Sequence, residues 1–280
     1  MSRFEDAGSD LMASQVGMWF AQQLDPASPA LQIAECLEVH GPVDPGLFEA
    51  AIRRMVAEAE TLRLRFTLVD GAVRQFIEPP ETLSLRVHDV SAEPDPLAAA
   101  LERVRADVVR PVDLENGPLY TTTVFPAGPD RIFWSQQGHH LVSDGYGGFL
   151  MVRRAAEIYS ALAEGRQDLG TPLPPVRHLL EQDAAYRASA EFVTDRAYWA
   201  EVLSGRPEPV SLSGRFASAS HTFLRHSVQI APAQADRLRG AARRLRAAMP
   251  VLVMAAAGVY TGRLTGTGEA GIWIPGAAEE

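Results

Sequence analysis

Asp70-Gly71 stands between two alternating apolar runs, residues 62–69 and 72–77. Both residues tolerate positive φ, so the pair predicts a two-residue hairpin with matched strand twist. A chain that contains such a hairpin needs an antiparallel sheet and something to cover it. The flanking sequence supplies both. Residues 31–40 and 83–90 read as further strands, and residues 119–125 and 131–137 as a second antiparallel pair joined by Pro126-Ala127-Gly128-Pro129-Asp130.

Helical periods fall between these strands. Residues 14–24 predict a short helix that opens at Ser14, with Val16, Trp19 and Phe20 on one face. Asp44 predicts a helix with Pro45 at its first position, where a missing N–H costs nothing. In it Phe48, Ile52, Met55 and Val56 recur at helical spacing, with Glu49, Arg53 and Arg54 toward water. Residues 95–109, 147–163, 179–203, 233–248 and the apolar run 251–264 read as helices; residues 223–230 and 272–274 read as strands. The class is α/β in the α+β sense, a mainly antiparallel sheet covered by helices. The Gly- and Pro-rich stretch 166–175 predicts a boundary between residues 1–172 and residues 173–280.

Composition closes several function classes. The 280 residues carry a formal charge of −9, against the basic surface that nucleic acid or an anionic membrane requires. Every one of the 26 basic residues is arginine, so no lysine can serve as a Schiff base or in a phosphate loop. Cys36 is the only cysteine, which rules out an intrachain disulfide and a thiolate metal cage and reads as a small core residue. The N-terminal stretch has no signal-peptide pattern, and no apolar run approaches the length of a membrane helix. A soluble cytoplasmic protein that binds no metal and no cofactor directly is the expectation.

Chemistry concentrates in residues 134–150, WSQQGHHLVSDGYGGFL. His139 and His140 end a predicted strand, where successive side chains point to opposite faces. One should face the interior and the other an open cleft. A base at a strand end, beside the glycine turn and helix start at Gly145, suits acyl transfer: the imidazole takes a proton from an amine or orients it. Free N–H groups near Gly145 can hold a developing oxyanion. Asp144 would anchor the turn by pairing with an arginine. Two structural histidines, or a His-His-Asp metal site, are the competing readings; opposed side-chain directions argue against the metal. Gly145, Gly147 and Gly148 lack the context of a phosphate loop.

Residues 139–145, HHLVSDG, match the HHxxxDG signature of the condensation domains of nonribosomal peptide synthetases. Four other segments resemble the same family in the same order: SQVGMWFAQQL (14–24), ETLRLRF (60–66), RPVDLENGPL (110–119) and DAAYRASAEFVTDRAYWAEVL (183–203). The resemblance implies a chloramphenicol-acetyltransferase-like fold of two related lobes with a tunnel between them. Donor and acceptor would enter from opposite sides, each on the phosphopantetheine arm of a carrier domain, with adjacent synthetase domains as further partners. The acceptor amine would attack the donor thioester, and the donor style looks closest to L-aminoacyl or aryl/acyl types. By motif position His140 is the catalytic residue, His139 its structural neighbour, Asp144 a structural residue paired with an arginine, and Gly145 the backbone donor near the reacting carbonyl. Arg63 is the candidate ion-pair partner in the tunnel wall.

The chain departs from the family pattern at Glu58-Ala59, where Arg-His is frequent, at Leu64 for threonine, and at Gly138, where a bulkier residue is usual. The run GIWIPGAAEE starts like the family's GxPVxGR strand and diverges after Pro275. The expected second lobe is therefore mostly missing. Two alternatives stand beside a condensation enzyme: a free-standing acyltransferase that completes its site by oligomerising, and a carrier-docking fragment without turnover.

Overall fold

The computed structural model describes residues 8–80, 85–205, 212–215, 220–222 and 226–267. The chain divides into two compact units, Met1–Ala188 and Ser189–Glu280.

In the first unit the hairpin forms as the dipeptide requires. β2 (Leu64–Val69) pairs antiparallel with β3 (Ala72–Ile77), from Leu64↔Ile77 to Val69↔Ala72. Asp70 and Gly71 take φ of 51° and 81° at the turn. The main sheet has the order β1-β6-β5-β4. β1 (Gln32–His40) pairs antiparallel with β6 (Arg131–His139), and β6 with β5 (Tyr120–Pro126). β4 (Leu85–Val87) joins β5 in parallel at the edge.

Side-chain alternation divides the core. Tyr120 and Val124 of β5 and Ile132 and Trp134 of β6 face α2 (Pro45–Glu58) and α4 (Gly145–Ala163), meeting Phe48, Ile52, Met55, Met151, Ala155 and Ile158. Phe125 and Phe133, on the opposite face, meet Ala100 of α3 (Pro96–Val108) and Val90. Each fully buried Val, Ile, Met or Phe among these contributes about 1.5–3 kcal/mol. The predicted inner face of α2 is fully inward, and Asp44 caps the helix by accepting from Gly46 N at 2.8 Å and Leu47 N at 3.0 Å. Cys36 is half-buried; burial, then the charge of Glu38, pushes its thiol pKa up.

The structure corrects the face of α1 (Ala13–Leu24). Its buried residues are Gln15, Trp19 and Gln22, whereas Val16 and Phe20 are exposed. The reason is polar: both glutamines reach buried hydrogen-bond partners described below. Residues 179–203 form two helices, α5 (Val176–Arg187) and α6 (Ala190–Ser204), because Ser189 leaves helical geometry and caps α6 at Phe192 N. The first unit runs through the loop at 166–175: Leu169 and Leu173 pack on the sheet-facing core and Val176 on the cluster beside α1.

In the second unit, α7 (Pro232–Leu245) and α8 (Met249–Thr265) follow α6. Residues 226–230, expected as part of a strand, are not in a strand; the remainder of that expectation, 223–225, and the expected strand 272–274 lie outside the described residues. Among the described residues no single helix is long and apolar enough to cross a membrane, although α7 and α8 together, bent by 95°, pass on length and composition.

Candidate active site

β6 delivers the histidines. It ends at His139, the chain turns through His140 and Leu141, and α4 begins at Gly145. The turn is held on three sides by its backbone: His139 N donates to Leu119 O at 2.9 Å, His140 N to Leu31 O at 2.8 Å, and Val142 N to His139 O at 2.9 Å.

The two histidines have different surroundings. His139 is 1% exposed. Its Nδ1 accepts from Leu141 N at 3.1 Å, and its Nε2 lies 3.0 Å from Oε1 of Gln22. Gln22 Nε2 donates to the carbonyls of Asp25, Pro26 and Ser28 at 3.1, 3.2 and 3.2 Å, so its Oε1 must face the ring. His139 Nε2 therefore carries the proton and Nδ1 the lone pair, which fixes the neutral tautomer. Burial, then the neighbouring His140, lowers its pKa to about 4. His140 is half-buried, and among the described residues its imidazole makes no hydrogen bond, so its ring nitrogens remain available.

Gln15 completes the support. Its Nε2 donates to Leu141 O at 3.1 Å and Gln75 Oε1 at 3.2 Å, while its Oε1 accepts from Met12 N at 2.9 Å. Thus α1 holds the histidine turn at two points. Sequence reasoning missed both glutamines because a polar side chain reads as outward-facing. The available signal was their spacing with Trp19, which puts 15, 19 and 22 on one helical face.

Asp144 is the N-cap of α4: its extended backbone (φ −130°, ψ −172°) lets Oδ1 accept from Gly147 N at 2.8 Å. Among the described residues the carboxylate caps the helix and pairs with no arginine, contrary to expectation. The side chain is committed to the helix start by local geometry. Gly145 N–H is one of the helix's first N–H groups, which have no carbonyl a turn earlier to bond. It borders a cavity of about 180 Å³ lined by residues that include Ile33, Glu35, Gln136, Gly145, Gly148 and Met151. A second cavity of about 230 Å³, lined in part by Arg86, Arg110 and Leu119, shares Tyr120, Gln137 and Gly138 with the first. Gly138 is where a side chain is absent between them; a Cβ there would meet the Tyr120 ring at 3.5 Å. His140 lines neither cavity.

Arg63 is buried at the hairpin's far end, where its guanidinium donates to the carbonyl oxygens of Glu78 and, at 3.2 Å, Ala57. The Glu78 carboxylate is taken by Arg65, at 2.5 Å, with both side chains buried. Because Glu78 N bonds Arg63 O at 2.9 Å, residues 63 and 78 continue the ladder, and the Arg63 side chain turns back onto backbone. Arg65 and Glu78 form a buried ion pair beside it. Among the described residues no three of His, Cys, Asp and Glu are grouped as a metal ion would need.

A family model, "Condensation domain", matches residues 9–278. The chain is 39% identical over 271 residues to a dimodular nonribosomal peptide synthase of Bacillus subtilis (strain 168), covering 97% of this chain and 11% of that protein. It is 34% identical to enterobactin synthase component F of Escherichia coli O157:H7, covering 75% of this chain and 17% of that one. Among solved structures, the first condensation domain of the calcium-dependent antibiotic synthetase, in complex with a substrate analogue, matches with a TM-score of 0.82 at 32% identity, over 93% of this chain and 62% of that one. A variant starter condensation domain of rhizomide synthetase RzmA, in complex with C8-CoA and Leu-SNAC, matches with a TM-score of 0.70 at 40% identity, over 75% and 48%. The chain therefore spans a small part of its curated relatives and about half to three-fifths of these solved chains.

Proposed function

The chain belongs to the condensation-domain family, and on that premise we propose that it takes part in amide-bond formation between a thioester donor and an amine acceptor. The acceptor nitrogen attacks the thioester carbonyl carbon. The C–N bond forms, the C–S bond breaks, and the amine proton passes by way of His140 to the departing thiolate. His140 acts as general base or holds the amine in line. Gly145 N–H, at the positive end of α4, stabilises the oxyanion. The observation that carries this reading is the contrast between the paired histidines. His139 is buried and locked as a neutral tautomer, while His140, on the next residue, keeps both ring nitrogens without a hydrogen bond among the described residues.

Donor and acceptor would arrive on the phosphopantetheine arms of carrier domains, since the relatives are multidomain synthetases. Similarity to a starter domain solved with C8-CoA and Leu-SNAC supports an acyl thioester as donor and an aminoacyl group as acceptor. Arg63 and Asp144 are assigned supporting roles: one braces the hairpin, the other starts α4.

The experiment is a single-turnover assay with acyl- and aminoacyl-loaded carrier proteins, comparing this chain with His140→Ala by mass spectrometry of the carrier arms. Amide product that disappears in the variant supports the reading. Equal product from both proteins removes His140 from the mechanism, and no product from either removes the 280-residue chain as a catalyst in its own right.

A further inference from the structure

Gln136 lies on β6 three residues before His139 and is 5% exposed. Its Oε1 accepts from the hydroxyl of Tyr120 at 2.9 Å, and Tyr120 is itself buried. Its Nε2 is buried and, among the described residues, has no hydrogen-bond partner. A buried amide donor without an acceptor costs desolvation free energy and calls for an explanation. Loose packing does not supply one, because neighbouring polar groups on the same sheet are paired. Trp134 Nε1 donates to Thr122 Oγ1 at 2.7 Å, which donates in turn to Ser135 O at 3.2 Å.

The cavity of about 180 Å³ that Gln136 lines defines what could satisfy it. Gly145, whose N–H has no hydrogen-bond partner among the described residues, lines the same space, so two donor-bearing residues border it. Its walls are small or apolar at Ile33, Ala34, Gly138, Gly148 and Met151, polar at Tyr120, Gln137 and Ser143, and acidic at Glu35 and Asp144. Two donors call for an acceptor; two carboxylates and no cation in the wall reject an anion. A neutral carbonyl oxygen on an aliphatic group meets both conditions.

We propose that Gln136 Nε2 binds the acyl carbonyl oxygen of the thioester donor in this cavity, alongside Gly145 N–H. The hydroxyl of Tyr120 orients the amide for it. The proposal rests on the condensation reading above and adds to it a residue that touches substrate.

The test uses the full chain and two probes, S-butanoyl-N-acetylcysteamine and the matching S-butyl thioether, in which CH₂ replaces the carbonyl. Titration of the native protein should give a preference for the thioester of about 5–10-fold, the size of one hydrogen bond. Gln136→Met should reduce that preference to under about 2-fold while leaving thioether affinity unchanged. Gln136→Glu, assayed at pH 8, should behave likewise, and serves if the Met variant does not fold. A preference that persists in the variants, no preference in the native protein, or no binding of either probe at millimolar concentration overturns the assignment. The two readings separate cleanly. Loss of preference without amide product in the carrier assay removes only the condensation reading. Amide product with the preference unchanged in the variants removes only the role of Gln136.

Discussion

Arg154 of α4 donates from Nε and Nη2 to the two carboxylate oxygens of Glu58, the last residue of α2, at 2.7 and 3.0 Å. The side chains are 3% and 6% exposed. The same carboxylate accepts from Arg54 at 2.9 Å and from Leu173 N at 3.3 Å. The pair ties together the two helices that cover one face of the sheet, α2 and α4.

Breaking that pair should be expensive. Glu58→Gln or Arg154→Met alone strands a buried charge or its donors, and the expected cost is about 3–5 kcal/mol. Replacing both by apolar residues, Glu58→Leu with Arg154→Met, should recover most of it. Urea unfolding of the native, single and double variants measures this; three equal losses would show that the pair contributes packing alone.

Stability should fall on mild acidification. The folded-state pKa of His139, about 4, lies below the ordinary histidine value of 6.5. The unfolded chain therefore binds more protons between those two values, and stability declines as pH falls from about 6.5 toward 4, by at most about 3 kcal/mol. Glu58 acts lower on the scale: burial would raise its pKa, but hydrogen bonds from Arg154 and Arg54 outweigh this and hold it below the usual range. Its contribution is present above its unfolded value and is lost as pH drops through the folded one. Unfolding midpoints from pH 7.5 to 4.5 should show the first decline in the native protein and little of it in His139→Asn.

Gln22→Met keeps the shape of the side chain but leaves three carbonyls and the His139 Nε2–H without their partner. Unfolding free energy should fall by about 1–3 kcal/mol for the buried groups left unsatisfied. On the proposed function, amide formation in the carrier assay should slow by about 10–100-fold in kcat with little change in KM, as expected when His140 is displaced slightly. Two-bond ¹⁵N NMR of the histidine rings reports the tautomer directly. Leu141 N–H still donates to Nδ1 in the variant, so the Nε2–H form should persist; a switch to the Nδ1–H form would show that Gln22 alone selects the tautomer.

Asp144→Ala should destabilise by about 1 kcal/mol, the value of an N-cap. Asp144→Asn retains an acceptor for Gly147 N and should keep most of that stability. The comparison distinguishes a cap from an arginine partner, because an ion pair would be lost equally in both variants.

The sequence was most informative where backbone geometry is local. Asp70-Gly71 announced its turn, Asp44-Pro45 its helix start, and the paired runs at 119–125 and 131–137 their ladder, because each depends on neighbours within a few residues. The face of α1 was misread because Gln15 and Gln22 are buried by partners more than a hundred residues away, at Leu141 and His139. Spacing carries no record of such partners. At the site, the motif marked His139, His140, Asp144 and Gly145, but the buried Arg65–Glu78 pair and Gln136 carried no signal at all. Polar residues on a strand look alike until the sheet shows which of them is enclosed.

β6 is bonded along both edges, to β1 and to β5, and it carries Gln136 and His139 at one end. Each of its amides is bonded into one of the two ladders at the middle of the sheet, away from an open edge, so they belong to the slowest-exchanging part of the fold. Fraying of peripheral segments would leave the histidine turn in register. The site should therefore remain assembled until the first unit unfolds as a whole, so that loss of activity on warming tracks global unfolding.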